Sequence, residues 1–293
     1  MDTAIQILVS GLTLGAMYGV STIGLSLVWG AMGMLNMAHG ALLTIGGYAS
    51  YAAVIDLGLP MWMGLPAAML VSFVVGMIIY FTIIRFMYHL ESFETNIIVV
   101  TIGLAIFLES LVLKIFGAYP FGQPFALEKG FHIGVVYVRY QTPLIIAIAV
   151  FLMLVIAWML NKSRTGRAIR ATAQGRVAAQ LMGVNVGRVF AQVMALGGLV
   201  AGVSGVMISS ITTLAPTMGY DPMLKAFIIC VIAGLGNIKG ALYAAFILGI
   251  FEASVQYFFG VRFGFPALLA LVILALIWRP YGVFGRRQVT RRV

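Results

Sequence analysis

The chain has 293 residues, of which 62% are hydrophobic and 9% charged, and it carries a formal net charge of +10. A soluble domain has about a quarter charged residues and under half apolar ones, so this apolar surplus excludes a water-soluble globular protein and points to an all-α integral membrane protein. Nucleic acid is excluded as the partner of the basic excess. Six of the 18 Lys and Arg residues lie in 161–188 and five in 279–293, and neither block interleaves them with aromatic side chains. Such blocks flank membrane spans on the cytoplasmic side and lie against lipid headgroups.

A crossing needs about 20 apolar residues. In chain order, the stretches that qualify are 4–29, 38–57, 61–88, 95–117, 142–160, 189–214, 239–259 and 263–279, and a shorter run, 223–235, reads as a ninth crossing or a half-helix. The expectation is a polytopic bundle of about 8–9 spans with interrupted helices, forming one domain over 1–293. The start, "MDTAIQ", has no basic n-region and does not read as a cleaved signal peptide. With nine crossings the N-terminus lies outside, and with eight it lies inside. The nine-crossing arrangement puts 13 basic residues inside and five outside, namely Lys114, Lys129, Arg139, Lys225 and Arg262.

Within the first span Gly11, Gly15 and Gly19 share a helical face, as do Gly198 and Gly202 later. Small residues four apart let helix backbones approach closely in lipid. The next feature is a break. In "WGAMGMLNMAHGALL" Gly30 and Gly33 precede Asn36, so one helix ends at the glycines and another starts after an Asn cap. "AGLGNIKGALYAAF" repeats the device with Gly234, Gly236 and Asn237, 201 residues after the first asparagine. That separation fits a simple tandem duplication poorly. Each break is either a turn at the cytoplasmic end of a hairpin or a discontinuity facing a transport path. On the second reading Asn36, His39 and Asn237 border the passage or its gate.

Two acids fall inside spans, where a carboxylate costs a few kcal/mol and so faces protein or water. Glu252 has Gln256 one turn on, and both are candidates to line the path, while Glu109 reads as structural. Between spans, the outer loop 118–141 holds Pro, Gly and the alternation "VVYVRY", a hairpin signal. His132 there has no companion at metal-ligand spacing, and Cys230 is the single cysteine, so neither a metal site nor an internal disulfide is expected.

The elbow "NKSRTGRAIRATAQGRVAAQLMGVNVGRVFAQ" leaves the membrane and returns. Arg164, Arg167 and Arg170 form a cationic stripe, and Val177, Leu181 and Val184 an apolar one. The element either lies on anionic lipid or docks a cytoplasmic partner, with Gly183 supplying the turn. "AAQLMG", with Ala178, Ala179 and Gly183, resembles the Ala-Ala-three residues-Gly loop of ABC importer permeases, although Val177 stands where that loop usually has an acid. Together "LNMAHGALLTIGGY", "TGRAIRATAQGRVAAQLMGVN", "GLGNIKGALYAAFILGIFEA" and "RPYGVFGR" resemble, in order, the LivH-type permeases of branched-chain amino-acid ABC importers.

The resemblance implies an inner-membrane permease working with a LivM-type second permease, two LivG/LivF-type ATPase subunits and a periplasmic solute-binding protein. It places ATPase coupling on Arg164, Arg167, Arg170, Arg176, Ala178, Ala179, Leu181 and Gly183. It makes 161–188 a cytoplasmic coupling loop, 118–141 a periplasmic loop and 279–293 a cytoplasmic tail. No cofactor is implied, and the chain has no phosphate-binding Gly loop with Lys-Ser/Thr, so ATP chemistry would belong to partner chains. The alternatives are a permease for urea or short amides and an ion-coupled secondary transporter. The latter has no need of an apolar cytoplasmic knob. No nucleophile–base–orienter cluster argues for an enzyme.

Overall fold

Seven helices among the described residues are long and apolar enough to cross a bilayer. In chain order the elements begin with α1 (Asp2–Met32) and α2 (His39–Tyr51), which runs on into a π-helical turn, Ala52–Asp56. Next come α3 (Gly64–Ile79), a second π turn (Tyr80–Ile84), α4 (Arg85–Met87) and α5 (Phe93–Phe116). The hairpin of β1 (Gly130–Ile133) and β2 (Val136–Arg139) leads to α6 (Gln141–Lys162). The elbow is α7 (Arg164–Gln174) and α8 (Arg176–Leu181). The chain finishes with α9 (Val186–Ser209), α10 (Tyr220–Ala233), α11 (Ile238–Phe259) and α12 (Gly264–Trp278). This is a computed structural model, and it describes residues 2–88, 93–124, 129–133 and 136–285. Most of the basic tail, 286–293, lies outside the described residues.

The hairpin marks one end of the bundle and α7–α8 the other. The nine apolar stretches read from the sequence become seven long helices and two short ones, α2 with 13 residues and α10 with 14. The chain alternates direction through all nine, so the N-terminus lies at the hairpin end and the C-terminal tail at the elbow end. Strand pairing of Gly130 with Arg139 through Ile133 with Val136 realises the alternation in "VVYVRY".

The glycines set the packing. Gly11 and Gly15 lie against the backbone of Ile250 and Phe246, and Gly249 in turn lies against Gly11 and Gly15, so α1 and α11 run antiparallel with backbones touching. Gly198 and Gly202 meet Ser72 and Ala68 in the same way, joining α9 to α3. Gly249→Val would place a Cβ on the Gly11 and Gly15 backbone. We expect it to cost about 1–3 kcal/mol, read as a lower unfolding temperature in detergent. Gly103→Ala, where a Cβ meets nothing within 4 Å, should not lower it.

These two contacts are equivalents. α1 packs on α11 as α9 packs on α3; α2 lies against α9 as α10 lies against α1; α5 flanks α2 as α12 flanks α10. The halves α1–α5 and α9–α12 are inverted relative to each other, an arrangement many transport proteins share. α6 has no counterpart. The inversion pairs the break 33–38 not with 234–237 but with 210–219. That second segment enters from the hairpin end, where Leu214 and Phe121 exchange backbone hydrogen bonds at 2.9 Å each way. It ends at Gly219, whose N–H donates to Thr44 Oγ1 at 3.2 Å. The two short helices therefore both start at mid-depth, with Gly40 and Gly219 in backbone contact, and run to opposite ends. Non-helical backbone at that depth survives only because protein or water satisfies it.

Candidate functional site

Asn36 stands in the first break. Its Oδ1 accepts from the N–H of Ala38 at 3.1 Å, and its carbonyl accepts from His39 at 3.2 Å. Met37 N–H donates to Thr101 Oγ1 of α5 at 3.2 Å. Asn36 thus closes a tight turn ahead of α2 rather than capping it; Asn36, Ala38 and His39 are buried and Met37 is half-buried. His39 is fully buried and its Nε2 lies 3.1 Å from the Ser21 carbonyl. A carbonyl only accepts, so the hydrogen is on Nε2, and the ring pins the start of α2 to the middle of α1.

Asn237 is placed differently. Its Oδ1 caps α11 by accepting from Gly240 N–H at 3.0 Å, and its Nδ2 donates to the Phe284 carbonyl at 2.8 Å. Gly234 and Gly236 adopt φ of 85° and 82°, a turn geometry that only glycine takes cheaply. This break is a hairpin turn at the elbow end, tied to the C-terminal segment. A cavity of about 190 Å³ beside it is lined by Gly30, Ala157, Ile169, Arg170, Asn237 and Lys239.

The most charged place in the interior joins α1, α10 and α11. Glu252 is fully buried, and its Oε1 accepts from Lys225 Nζ at 2.9 Å and from Gln256 Nε2 at 2.9 Å. Lys225 Nζ also donates to Tyr18 Oη at 3.0 Å and pairs with Asp221 at 3.0 Å. Lys225 is therefore not a loop residue on the outer side, as its position in the sequence suggests, and Glu252 does not stand alone. A buried charge without its partner is among the costliest things a membrane interior can hold. The ion pair fastens the start of the half-helix α10 to two full spans. A cleft of about 410 Å³ opens from the hairpin end between α1, β2, α6 and α11 and reaches Met17 and Gln256 at the edge of this cluster.

At the other end, Ser163 Oγ caps α7 by accepting from Gly166 N–H at 2.8 Å, and Asn185 Oδ1 caps α9 by accepting from Arg188 at 3.0 Å. Arg164, Arg167 and Arg170 are exposed on α7. α8 presents Val177, Ala178 and Leu181 outward and tucks Ala179 inward, and Gly183 turns the chain with φ of 83°. Leu181 is 83% exposed and Met182, which the stripe omits, 85%. Arg176 points the opposite way. Its Nη2 donates to the Met32 carbonyl at the end of α1, and its guanidinium sits 5.5 Å from the ring centres of both Phe93 and Phe190. An open groove of about 860 Å³ adjoins α8, between Tyr80–Phe86 and 183–188.

A membrane-embedded bundle with inverted halves, two helices broken at mid-depth and an apolar knob projecting at one end has the build of a transport body. The chain belongs to the family of permease components of branched-chain amino acid transport systems, whose model matches residues 7–283. It is 30% identical to the high-affinity branched-chain amino acid transport system permease protein BraD of Pseudomonas aeruginosa, over 98% of this chain and 97% of that one. The corresponding permease protein LivH of Escherichia coli is 30% identical over the same shares. A probable branched-chain amino acid transport permease protein LivH of Methanocaldococcus jannaschii is 26% identical over 90% of this chain and 87% of its own.

Proposed function

We propose that this chain is the permease subunit of an importer that moves branched-chain or other hydrophobic amino acids across the bacterial inner membrane, powered by ATPase subunits on separate chains. The observation that carries the proposal beyond family membership is the knob. Val177, Leu181 and Met182 offer an apolar surface beside the exposed arginines of α7, outside the apolar body of the bundle. Exposed apolar patches of this kind mark binding sites. The elbow end is then cytoplasmic, as its basic residues favour, and the β hairpin faces the periplasm, where a solute-binding protein would deliver its cargo.

The partners are a LivM-type second permease, two LivG/LivF-type ATPase subunits and that binding protein. Coupling belongs to Arg164, Arg167, Arg170, Ala178, Leu181 and Gly183 on the exposed side of the elbow. Arg176 and Ala179 would pass the movement inward, because Arg176 grips the end of α1 immediately before the Asn36 break. His39 and Asn36 hold the geometry of that break, Glu252 and Gln256 that of the second half-helix, and Asn237 the elbow-end turn.

Purification of the chain from its native membrane should bring down one further permease and an ATPase pair, with ATP-dependent leucine uptake after reconstitution with a binding protein. Recovery of the chain alone, with uptake driven by a proton or sodium gradient, would favour an ion-coupled carrier instead. In a Cys230→Ala background, a thiol placed at Leu181 should resist an impermeant reagent in intact cells and react in inverted vesicles stripped of ATPase subunits.

A further inference from the structure

Asp221, in the first turn of α10, carries a carboxylate that the chain leaves open. Its side chain is 62% exposed, against 10% for Lys225, to which it is bonded. Its depth is fixed by Tyr18, near the middle of α1, which accepts from the same Lys225. A carboxylate facing hydrocarbon at that level costs about 2.5–3.5 kcal/mol even on the mildest scale. The two non-helical segments also surface here, with Leu35 and Met37 half-buried and Thr217 exposed, and Tyr220 at the start of α10 is exposed beside them. Non-helical backbone at such depth lies against protein or a wet cavity, not lipid. In the assembled importer this face therefore lies against the second permease or walls an aqueous space.

The chemistry of the wall is specific. Two carboxylates, Asp221 and Glu252, share one ammonium, Lys225, so the cluster is one positive charge short. Leu224 lies one turn beyond Asp221 on α10, and Phe227 one turn beyond Leu224. With Leu35, Met37 and Asn36 they border a small cavity of about 20 Å³. Asn36 is buried, and its Nδ2 has no hydrogen-bond partner among the described residues. Asp221 and Leu224, one turn apart on α10, thus set an anionic group beside an apolar strip, which matches a cationic amine attached to an apolar side chain, and the Asn36 Nδ2 donor on that strip suits the solute's carboxylate.

We propose that Asp221 meets the α-ammonium of the amino acid as it passes, with the solute's side chain against Leu35, Met37 and Leu224 and the second permease forming the opposite wall. This rests on the permease reading. Because Lys225 shares the Asp221 carboxylate, the contact is weak, as a passage that must release its cargo requires.

The test uses the complete importer in proteoliposomes, with saturating binding protein and ATP. Asp221→Asn should lower maximal leucine uptake at least tenfold, leave the binding-protein concentration at half-maximal rate unchanged, and keep the second permease in the purified complex. Asp221→Glu should restore most of the uptake. In a Cys230→Ala background, Asp221→Cys should react with a water-soluble methanethiosulfonate in the assembled importer. Normal uptake by Asp221→Asn would overturn the assignment. So would loss of the second permease from that variant, since the charge would then serve subunit pairing, and so would an unreactive thiol at 221. Failure of the wild-type chain to co-purify with an ATPase would instead strike the permease reading, whatever Asp221 does.

Discussion

Lys225→Met is expected to be the most damaging single substitution in the interior. Among the described residues it strips Glu252 of its only cationic partner while the carboxylate remains fully buried, with Gln256 its one remaining donor. Breaking a buried pair from one side costs about 3–5 kcal/mol, which for a chain of this size is a fall of roughly 10 °C in unfolding temperature in detergent. Uptake should vanish with it, because α10 loses its attachment to α1 and α11 at the level where both half-helices begin. Glu252→Leu should cost less. Lys225 would keep Asp221 at 3.0 Å and Tyr18 at 3.0 Å, and Asp221 has an open side through which water can help. The double variant Lys225→Met/Glu252→Leu should regain most of the stability lost in Lys225→Met alone, since an apolar pair of similar size replaces an ion pair at little net cost. Equal stability of Lys225→Met and the wild type would mean that the pair does not hold the half-helix.

Local features were legible in the sequence because each has a local cause. The glycine faces at 11, 15 and 19 and at 198 and 202 follow from helical spacing, and they are the faces that meet α11 and α3. Glu252 and Gln256, four apart, do share a side and a hydrogen bond. Gly33 and Asn36 announce a break. Its depth was not legible, because it depends on His39 reaching Ser21, a tertiary contact. The matching break at 210–219 was hidden for the same reason. "SITTLAPTMGYDP" has Pro216, Gly219 and four Ser or Thr residues counted from Ser210, and so reads as an ordinary connecting loop. That disguise put Lys225 outside the membrane. Its pairing with Glu252 spans 27 residues and becomes visible only once α10 and α11 are known to be neighbours. The likeness between the two Gly-Asn motifs is local and does not mark the inverted halves. Asn237 closes a hairpin, whereas the inversion-related partner of the Asn36 turn carries no asparagine at all.

The second large effect is expected at the elbow, where two variants should separate binding from transmission. Leu181→Asp puts a charge in the centre of the exposed apolar surface of α8, at a side chain 83% exposed that touches little of its own chain. Membrane insertion and thermal stability should stay close to the wild type, while the ATPase subunits no longer co-purify and uptake is abolished. Met182→Asp, beside it and equally open, should do the same. Arg176→Ala should behave in the opposite sense. Arg176 lies behind α8, bonded to the Met32 carbonyl and enclosed by Phe93 and Phe190. One charge-assisted hydrogen bond of about 1.5–3 kcal/mol joins the elbow to the last residue of α1, and two cation–π contacts of about 0.5–1 kcal/mol each hold the guanidinium against α5 and α9. From Met32 three non-helical residues lead to Asn36. Removing that link leaves the docking surface intact, so the ATPase pair should still co-purify, yet leucine uptake should fall at least tenfold. If force enters the bundle through α8, the order of effects is fixed: α8 variants lose the motor, and the Arg176 variant keeps it without being moved by it. An Arg176→Ala importer with normal uptake would show that movement reaches the half-helices by another route. A Leu181→Asp chain that retained its ATPase subunits would remove α8 from the interface.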